Sequence, residues 1–136
     1  MRSLLCFLAL STAVFAEWPT YLHDASRVGV SAESLPGALK PAWTFRSPSA
    51  PQMAWAGEDG RVIEGHELFN RIRFDDVFHV AISGGRVFFG SSVDGRVMCR
   101  ELASGKEVWS FFTNAPVRLA PLIADGKVYV GSADGY

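Results

Sequence analysis

The sequence contains few cysteines and none of the compact motifs that hold metals or cofactors. Of its two cysteines, Cys6 and Cys99, only Cys99 lies beyond the apolar N-terminal stretch, so the rest of the chain has no internal disulfide framework. The patterns CxxC, CxxCH, HExxH and the phosphate-binding glycine loop do not occur, nor does an Asn-x-Ser/Thr glycan acceptor. Without disulfides or a bound metal to hold it together, the chain needs a packed core.

A strong charge of either sign is also missing. Thirteen Lys and Arg residues against 14 Asp and Glu give a formal net charge of −1. Charges of both signs are scattered, so no basic patch forms an electrostatic footprint for nucleic acid or an anionic membrane. We therefore predict that no nucleic acid is among the partners.

The longest apolar run is short and lies at the N-terminus. Arg2 supplies a positive charge, Leu4–Val14 forms an apolar stretch, and the small residue Ala16 follows. The run is well below the roughly 20 residues that span a bilayer. Residues 1–16 are therefore predicted to be a cleavable signal peptide, which implies a periplasmic or extracellular protein with no transmembrane segment after removal of the signal.

A sequence repeat is the most informative feature that the chain does contain. The segment 82–95 (ISGGRVFFGSSVDG) returns at 123–135 (IADGKVYVGSADG), in a register that aligns Ile82 with Ile123 and, beyond the extra Val93, Asp94 with Asp134. A period of roughly 40 residues with glycine-marked turns is typical of propeller blades or of another repeat array. One such repeat cannot bury its own apolar faces.

The repeats have the pattern of short antiparallel strands. Strands rich in Val, Phe and Trp, bounded by glycine turns, are predicted at Phe78–Ile82, Arg86–Gly90, Arg96–Glu101 and Glu107–Phe112, and the series restarts at Arg118–Ile123 and Lys127–Gly131. Their apolar residues run almost continuously, which predicts a sheet covered on both faces. Pro121 fits an edge strand, because proline lacks the ladder donor. We expect Phe88, Phe89, Val97, Val108 and Trp109 to carry most of the packing, and Gly90→Val or Gly131→Val to strain it.

A short sequence similar to part of the repeat precedes it, at 40–45. Lys40–Phe45 (KPAWTF) resembles Lys106–Phe111 (KEVWSF), which predicts a lone strand of the outermost type before the first full blade. The rest of 17–77 is predicted to be an extended segment (17–38) and an irregular insertion (46–73) with a hairpin around Asp59-Gly60. The fold class is thus all-β: a β-propeller fragment with one four-stranded blade, part of a second, and a lone N-terminal strand.

The residues of these repeats resemble a known family. Val87–Ser91, Asp94-Gly95 and Gly105–Phe111 are similar to the pyrroloquinoline-quinone-like (PQQ-like) propeller repeat, and Lys127–Ser132 fits it again. Cys99, Glu101 and Ser104 stand where that repeat usually has Ala, Asp and Thr. The opening 18–24 with Arg27 and Gly29 resembles the lead-in of exported proteins of this type. The resemblance implies truncated PQQ-like repeats over 78–136.

Two functions follow from the resemblance. Many members bind no quinone and act as scaffolds, such as the propeller subunit of the barrel-assembly machinery of the outer membrane. An exported binding or scaffolding module, with a protein or other macromolecule at its loops and no catalysis in this segment, is therefore the first hypothesis. The alternative is the N-terminal part of a quinoprotein oxidoreductase that binds PQQ with calcium, although the adjacent cysteines of those enzymes have no counterpart here.

No residue stands out as catalytic, metal-binding or cofactor-binding. His79, whose repeat counterpart is Ala120, is expected to be a solvated or hydrogen-bonded residue of the central channel rather than a ligand. Arg118 is a weak candidate for binding an anion in that channel. Two groups that combine carboxylates with histidines are expected to be solvated rather than metal-binding: Asp75 and Asp76 near His79, and the segment Glu64, His66 and Glu67. The aspartates of the Asp-Gly turns are expected to be turn formers; these are Asp94, Asp125 and Asp134.

Overall fold

The computed structural model describes residues 17–35, 37–51, 61–63, 66–68 and 77–136. Within these ranges all regular structure is β-strand, which confirms the all-β class, and no helix there is long and apolar enough to cross a membrane. The proposed signal peptide lies outside the described residues. In chain order the strands are β1 (Arg61–Ile63), β2 (His66–Leu68), β3 (Val80–Ser83), β4 (Arg86–Gly90), β5 (Arg96–Glu101), β6 (Glu107–Phe112), β7 (Leu122–Ala124) and β8 (Lys127–Tyr129).

The central element is a four-stranded antiparallel meander, β3-β4-β5-β6, as the sequence predicted. Its first turn needs glycine, because Gly84 and Gly85 both have positive φ (57° and 71°). The ladder between β5 and β6 shifts register between Cys99 and Arg100, where a bulge bends the outer part of the sheet.

Both faces of this sheet are buried in its middle strands. Val87, Phe89 and Met98 form one face, which we call the front face, and pack together as the apolar core. Phe88, Val97 and Cys99 alternate with them and form the back face. All six side chains are at most 6% exposed, which confirms the inference from the near-continuous apolar runs.

Aromatic side chains from outside the sheet cover the front face. The rings of Phe45 and Phe78 lie 5.2 and 5.5 Å from the ring of Phe89, and 6.0 Å from each other. The guanidinium of Arg100 lies 4.4 Å from the centre of the Phe45 ring, a cation–π arrangement. The front face is therefore closed by residues that precede the sheet in the chain.

Trp43 joins the segment that covers the front face to the turn between β5 and β6. Its indole Nε1 donates a hydrogen bond of 2.8 Å to the carbonyl oxygen of Leu102. The ring lies against the backbone of Gly105, so that a Cβ atom built there would come within 2.5 Å of Trp43 Cδ2. The turn itself is held by Arg100, whose Nη1 donates to the Gly105 carbonyl at 2.7 Å.

The structure differs from the predicted lone strand at 40–45, since no strand is assigned there. The side chains of Trp43 and Phe45 pack on the neighbouring blade as those of an outermost strand would. The segment forms no ladder of backbone hydrogen bonds with a neighbouring strand. Pro41 removes one ladder donor, and the segment pairs with none of the described strands.

The linker that leads into the second repeat covers part of the back face. The side chain of Val117, only 1% exposed, lies against Gly90, and its backbone N–H donates to the carbonyl oxygen of Ser91 at 3.0 Å. β7 and β8 follow as a hairpin. β7 is shorter than the predicted strand and begins directly after the buried Pro121, which has no N–H to donate to a ladder.

The N-terminal segment makes backbone contacts that the sequence did not predict. Trp18 and Ile82 exchange two backbone hydrogen bonds of 2.8 Å, so residue 18 pairs with the free edge of β3. The carbonyl oxygen of Pro19 accepts a hydrogen bond of 2.8 Å from the N–H of Ile123 in β7. The segment thus ties the first strands of both repeats together.

The insertion contains a hairpin of β1 and β2, with Ile63 opposite His66, and the hairpin predicted around Asp59-Gly60 lies outside the described residues. One expectation about the packing needs correction. Val108 is 42% exposed and contributes less to the packing than predicted, because it lies on the outermost strand β6.

We expect Gly105→Ala to destabilise the protein by about 2–4 kcal/mol. The loss combines the cost of a left-handed φ of +70° with overpacking against the Trp43 ring. Gly126→Ala is the matched control, because Gly126 also has φ +70° but faces open space, so only the backbone cost of about 1 kcal/mol is expected. The free energy of unfolding, measured by chemical denaturation, should separate the variants, and equal losses would show that Trp43 does not dock there.

A second pair of glycines tests the back face. Gly90→Ala would place a methyl group 2.8 Å from the Cβ of Val117, and we expect a loss of about 1–3 kcal/mol. The equivalent Gly131 has nothing within 4 Å of the position that a Cβ would take, so the predicted strain at Gly131 is wrong for this structure, and Gly131→Ala should be nearly neutral. Thermal melts of the two variants compare them directly; a Gly131→Ala variant that melts as low as Gly90→Ala contradicts the assignment of the interface.

Candidate functional site

The meander places its turns at two opposite ends of the sheet, and the ends differ in exposure. One end carries Gly84-Gly85, the turn 102–106 and, in the second repeat, Asp125-Gly126; we call it the open end. The other carries 91–95 and the linker 113–117; we call it the closed end. Only an exposed end offers atoms to a partner, so the comparison locates the candidate site.

The closed end is filled by its own hydrogen bonds. Ser91 and Ser92 are 4% and 6% exposed, and Gly95 is buried. The carbonyl oxygen of Gly95 accepts from the Thr113 N–H at 2.9 Å and from the Thr113 hydroxyl at 2.8 Å. The hydroxyl of Ser132 donates to the carbonyl of Ala115 at 3.1 Å. The Ser132–Ala115 bond joins the two repeats, and the Thr113–Gly95 bonds close this end of the first blade.

The open end is exposed, polar and stiff. The N–H of Leu102 donates to the carbonyl of Gly85 at 2.9 Å, and that of Gly105 donates to the carbonyl of Glu101 at 2.9 Å, so neighbouring turns are tied together. The N–H of Gly84 donates to the Glu17 carboxylate at 2.9 Å. Charged side chains of both signs project into solvent here: Arg86, Glu101, Lys106, Asp125 and Lys127. A fixed backbone with mixed surface charges is suited to binding a complementary protein surface.

Ion pairs brace the outer strand next to this end. Glu107 bridges two arginines of β5, with its Oε1 2.7 Å from Arg96 Nη2 and its Oε2 3.2 Å from Arg100 Nη2. The Arg96 Nη2 also donates to the hydroxyl of Ser110 at 3.0 Å. These partly exposed pairs fix β6 on the sheet and bring no nucleophile or general base together.

His79 lies at the inner edge of the blade, one residue before β3. It is half-buried, and its ring centre is 6.2 Å from that of Tyr21 in an edge-on contact. Nearby, the ring of His23 lies 5.0 Å from Trp18, and its Nδ1 is 3.7 Å from the Asp24 carboxylate. His79 and His23 each contact an aromatic ring of the N-terminal segment.

Two aspartates of the glycine turns are turn formers, as predicted. The Oδ1 of Asp94 accepts from the Arg96 N–H at 3.2 Å, and that of Asp134 accepts from the Tyr136 N–H at 3.4 Å. Asp125 also lies in a turn, with a φ of 49°. Arg118 is half-buried and precedes β7 rather than lying within it.

The other carboxylate candidates cannot be placed as a site. Asp75, Asp76 and Glu64 lie outside the described residues, and for His66 and Glu67 only the backbone in β2 is described. Across the described ranges, no group of three or more His, Cys, Asp or Glu side chains could hold a metal ion.

Cys99 is a buried packing residue of the sheet. Its side chain is 0% exposed in the back face of the sheet. Burial raises the pKa of the thiol, and the Arg86 charge opposes this with a smaller effect. Because the other cysteine is Cys6, the adjacent cysteine pair implied by the quinoprotein resemblance is not present in this chain. Trp43 and Trp109 are used in packing the blade.

Sequence reasoning missed the contacts made by Glu17, Trp18 and Pro19. These residues form isolated backbone hydrogen bonds and no strand, so the alternation of apolar and polar residues that marks a strand is absent from them. A signal for the Trp43 contact was present, because KPAWTF echoes KEVWSF, but its docking partner Gly105 could not be identified without the fold.

The comparisons with known proteins agree with this architecture. The family model described as "Outer membrane protein assembly factor BamB" matches residues 40–136, more than half of the chain. None of the curated proteins and none of the solved structures compared with the chain is significantly similar to it. With a complete four-stranded blade and part of a second, the chain belongs to the PQQ-like β-propeller repeat family of the outer membrane protein assembly factor BamB.

Proposed function

We propose that this protein is an exported β-propeller module that binds or scaffolds other proteins through the open end of its blades, and that the described segment carries no catalysis. The observation that carries the proposal is the contrast between the two ends of the sheet. At the closed end Ser91, Ser92 and Gly95 are buried and their backbone is engaged in hydrogen bonds, whereas the open end exposes charged side chains on turns tied together by backbone hydrogen bonds.

The blade interior favours a scaffold for a physical reason. Its arginines, aromatic rings and cysteine are engaged in packing, ion pairs or cation–π contacts, so they stabilise a frame. A frame that does not deform lets a partner bind without the entropic cost of ordering loops. Function in propellers lies in the loops that the frame presents rather than in the fold itself.

The family description supports a partner in the cell envelope. The matching family is described by a factor for the assembly of outer membrane proteins. The apolar stretch at 4–14, preceded by Arg2, supports export to the compartment where such partners are found. The partner class that we propose is therefore a protein of the envelope, recognised by surface charges and backbone groups.

A site-specific cross-linking experiment tests the proposed binding surface. With a photoreactive amino acid at Ala103 or Lys127 of the open end, we expect a discrete cross-linked envelope protein when the full chain is expressed with its leader. Asp94 is the matched control, because it is exposed on the closed end and should give no such product. Equal cross-linking from both ends, or none from the open end, contradicts the proposal. Quinone absorbance that stays with the chain after incubation with PQQ and calcium would favour an oxidoreductase instead.

Export is tested separately. Residues 1–35 fused to alkaline phosphatase should give activity, because that enzyme needs the oxidising environment outside the cytoplasm to form its disulfides. A Leu8→Arg change in the apolar stretch should abolish most of the activity, whereas Ser11→Ala should retain it. Activity that survives Leu8→Arg, or no activity in the parent fusion, would show that residues 1–16 are not an export signal.

A further inference from the structure

The inner edges of the two repeats are joined by residues 17–24, which we call the inner strap. The Ile82 N–H donates to the Trp18 carbonyl and the Ile123 N–H donates to the Pro19 carbonyl, both at 2.8 Å. Ile82 in β3 and Ile123 in β7 occupy the same position of the repeat. Two consecutive carbonyls of the strap therefore accept from equivalent amides of consecutive repeats.

The inner strap lies between the two strands rather than beside one of them. Trp18 also donates its own N–H to the Ile82 carbonyl at 2.8 Å, so its backbone faces β3, whereas the carbonyl of Pro19 faces β7. Pro19 has no N–H that would be left unpaired on that side. Because Trp18 and Pro19 share one rigid peptide unit, β3 and β7 cannot separate at this edge without breaking one set of these bonds.

A side chain of the strap covers His79, the residue directly before β3. The Tyr21 ring lies edge-on to the His79 ring at 6.2 Å, and His79 is half-buried. The repeat counterpart of His79 is Ala120, so the blade itself does not require a histidine at this position. The inner strands of a propeller surround its central channel, and the cover therefore lies on the channel side.

The strap turns back on itself in a strained conformation. Leu22 and His23 have φ of 57° and 78°, in the left-handed region that is costly for residues other than glycine. The turn is held by the His23 N–H, which donates to the Thr20 carbonyl at 3.1 Å, and by the Asp24 carboxylate, which accepts from the Ser26 N–H at 2.9 Å. Strain of this kind persists only where several contacts impose it together.

We infer that the inner strap opens and closes as one unit. While it is bound, it holds the inner edges of β3 and β7 together and keeps a ligand in the channel from reaching His79; its release exposes both. Three backbone hydrogen bonds fasten it to the strands, and a segment held by so few bonds opens locally without unfolding of the blade. The inference does not depend on export or on a partner at the open end.

Hydrogen exchange with residue resolution on the full 136-residue chain tests whether the strap is one unit. In the parent, the amides of Ile82 and Ile123 should share one opening equilibrium, with protection factors within about threefold of each other. Trp18→Pro removes the N–H that donates to Ile82 and should accelerate exchange at Ile123 about tenfold, although that amide is bound by Pro19. Trp18→Ala is the matched variant, because it loses the same ring but retains the N–H, and it should have a smaller effect. Acceleration at Ile82 alone overturns the inference.

The amide of Val117 distinguishes release of the strap from unfolding. It donates to the Ser91 carbonyl at 3.0 Å at the closed end, and its exchange should stay as in the parent in both Trp18 variants. Equal acceleration at Val117 would show that Trp18 stabilises the repeats as a whole, which contradicts a local strap. Val30→Ala is the control in the same N-terminal segment; its side chain is 65% exposed, and the change should alter none of these rates.

Chemical modification of His79 tests the cover. Diethyl pyrocarbonate transfers an ethoxycarbonyl group to an accessible imidazole nitrogen, and mass spectrometry locates the product. Tyr21→Ala should raise the modification rate of His79 about threefold to tenfold and leave exchange at Ile82 and Ile123 unchanged, because the backbone bonds remain. Tyr129→Ala removes a tyrosine of similar exposure on β8 and should leave His79 as it is in the parent. An unchanged rate in Tyr21→Ala overturns the inference.

Discussion

The contact between the Trp43 indole and Gly105 is the interaction on which the rest of this structure depends. It connects a segment outside the repeat to the turn between the third and fourth strands of the blade, through ring-to-backbone packing and one hydrogen bond to Leu102. Two features of this contact require glycine at position 105: the positive φ of the turn, and the close approach of the Trp43 ring, which leaves no room for a side chain. Because Arg100 holds the Gly105 carbonyl and also stacks on Phe45, the same few atoms close the front face and stiffen the open end.

A blade with two apolar faces cannot be stable alone, and the chain shows how each face is covered. The front face is closed by aromatic residues that precede the blade, and the back face by Val117 and the repeat that follows it. Burial of each large apolar side chain at these contacts contributes about 1.5–3 kcal/mol. The backbone hydrogen bonds of Trp18 and Pro19 then join β3 to β7. The residues that protect the edge of β3 are therefore different from those that cover the two faces of the sheet.

The blade could be predicted from the sequence because its signals are local. Gly84-Gly85 and Asp94-Gly95 mark turns, and the near-continuous apolar runs of β4 and β5 indicate burial on both sides. The contacts of Trp18 with Ile82 and of Trp43 with Gly105 join positions that are far apart in the chain, and neither strand periodicity nor turn chemistry specifies such partners. The exposure of the open end could not be predicted from the sequence either, since it depends on which turns the second repeat covers.

The difference between Gly90 and Gly131 connects the fold to the proposed binding role. The two glycines occupy the same repeat position, but Val117 fills the space beside Gly90, whereas the space beside Gly131 is open. The first repeat therefore uses its successor to complete its own packing, and in a repeat array every interface is of the same kind. In such an array the residues at interfaces are constrained by packing, as Gly105 is by Trp43, whereas the exposed charged side chains of the open end are free to vary. Recognition can then change from one repeat to the next without destabilising the frame that supports it.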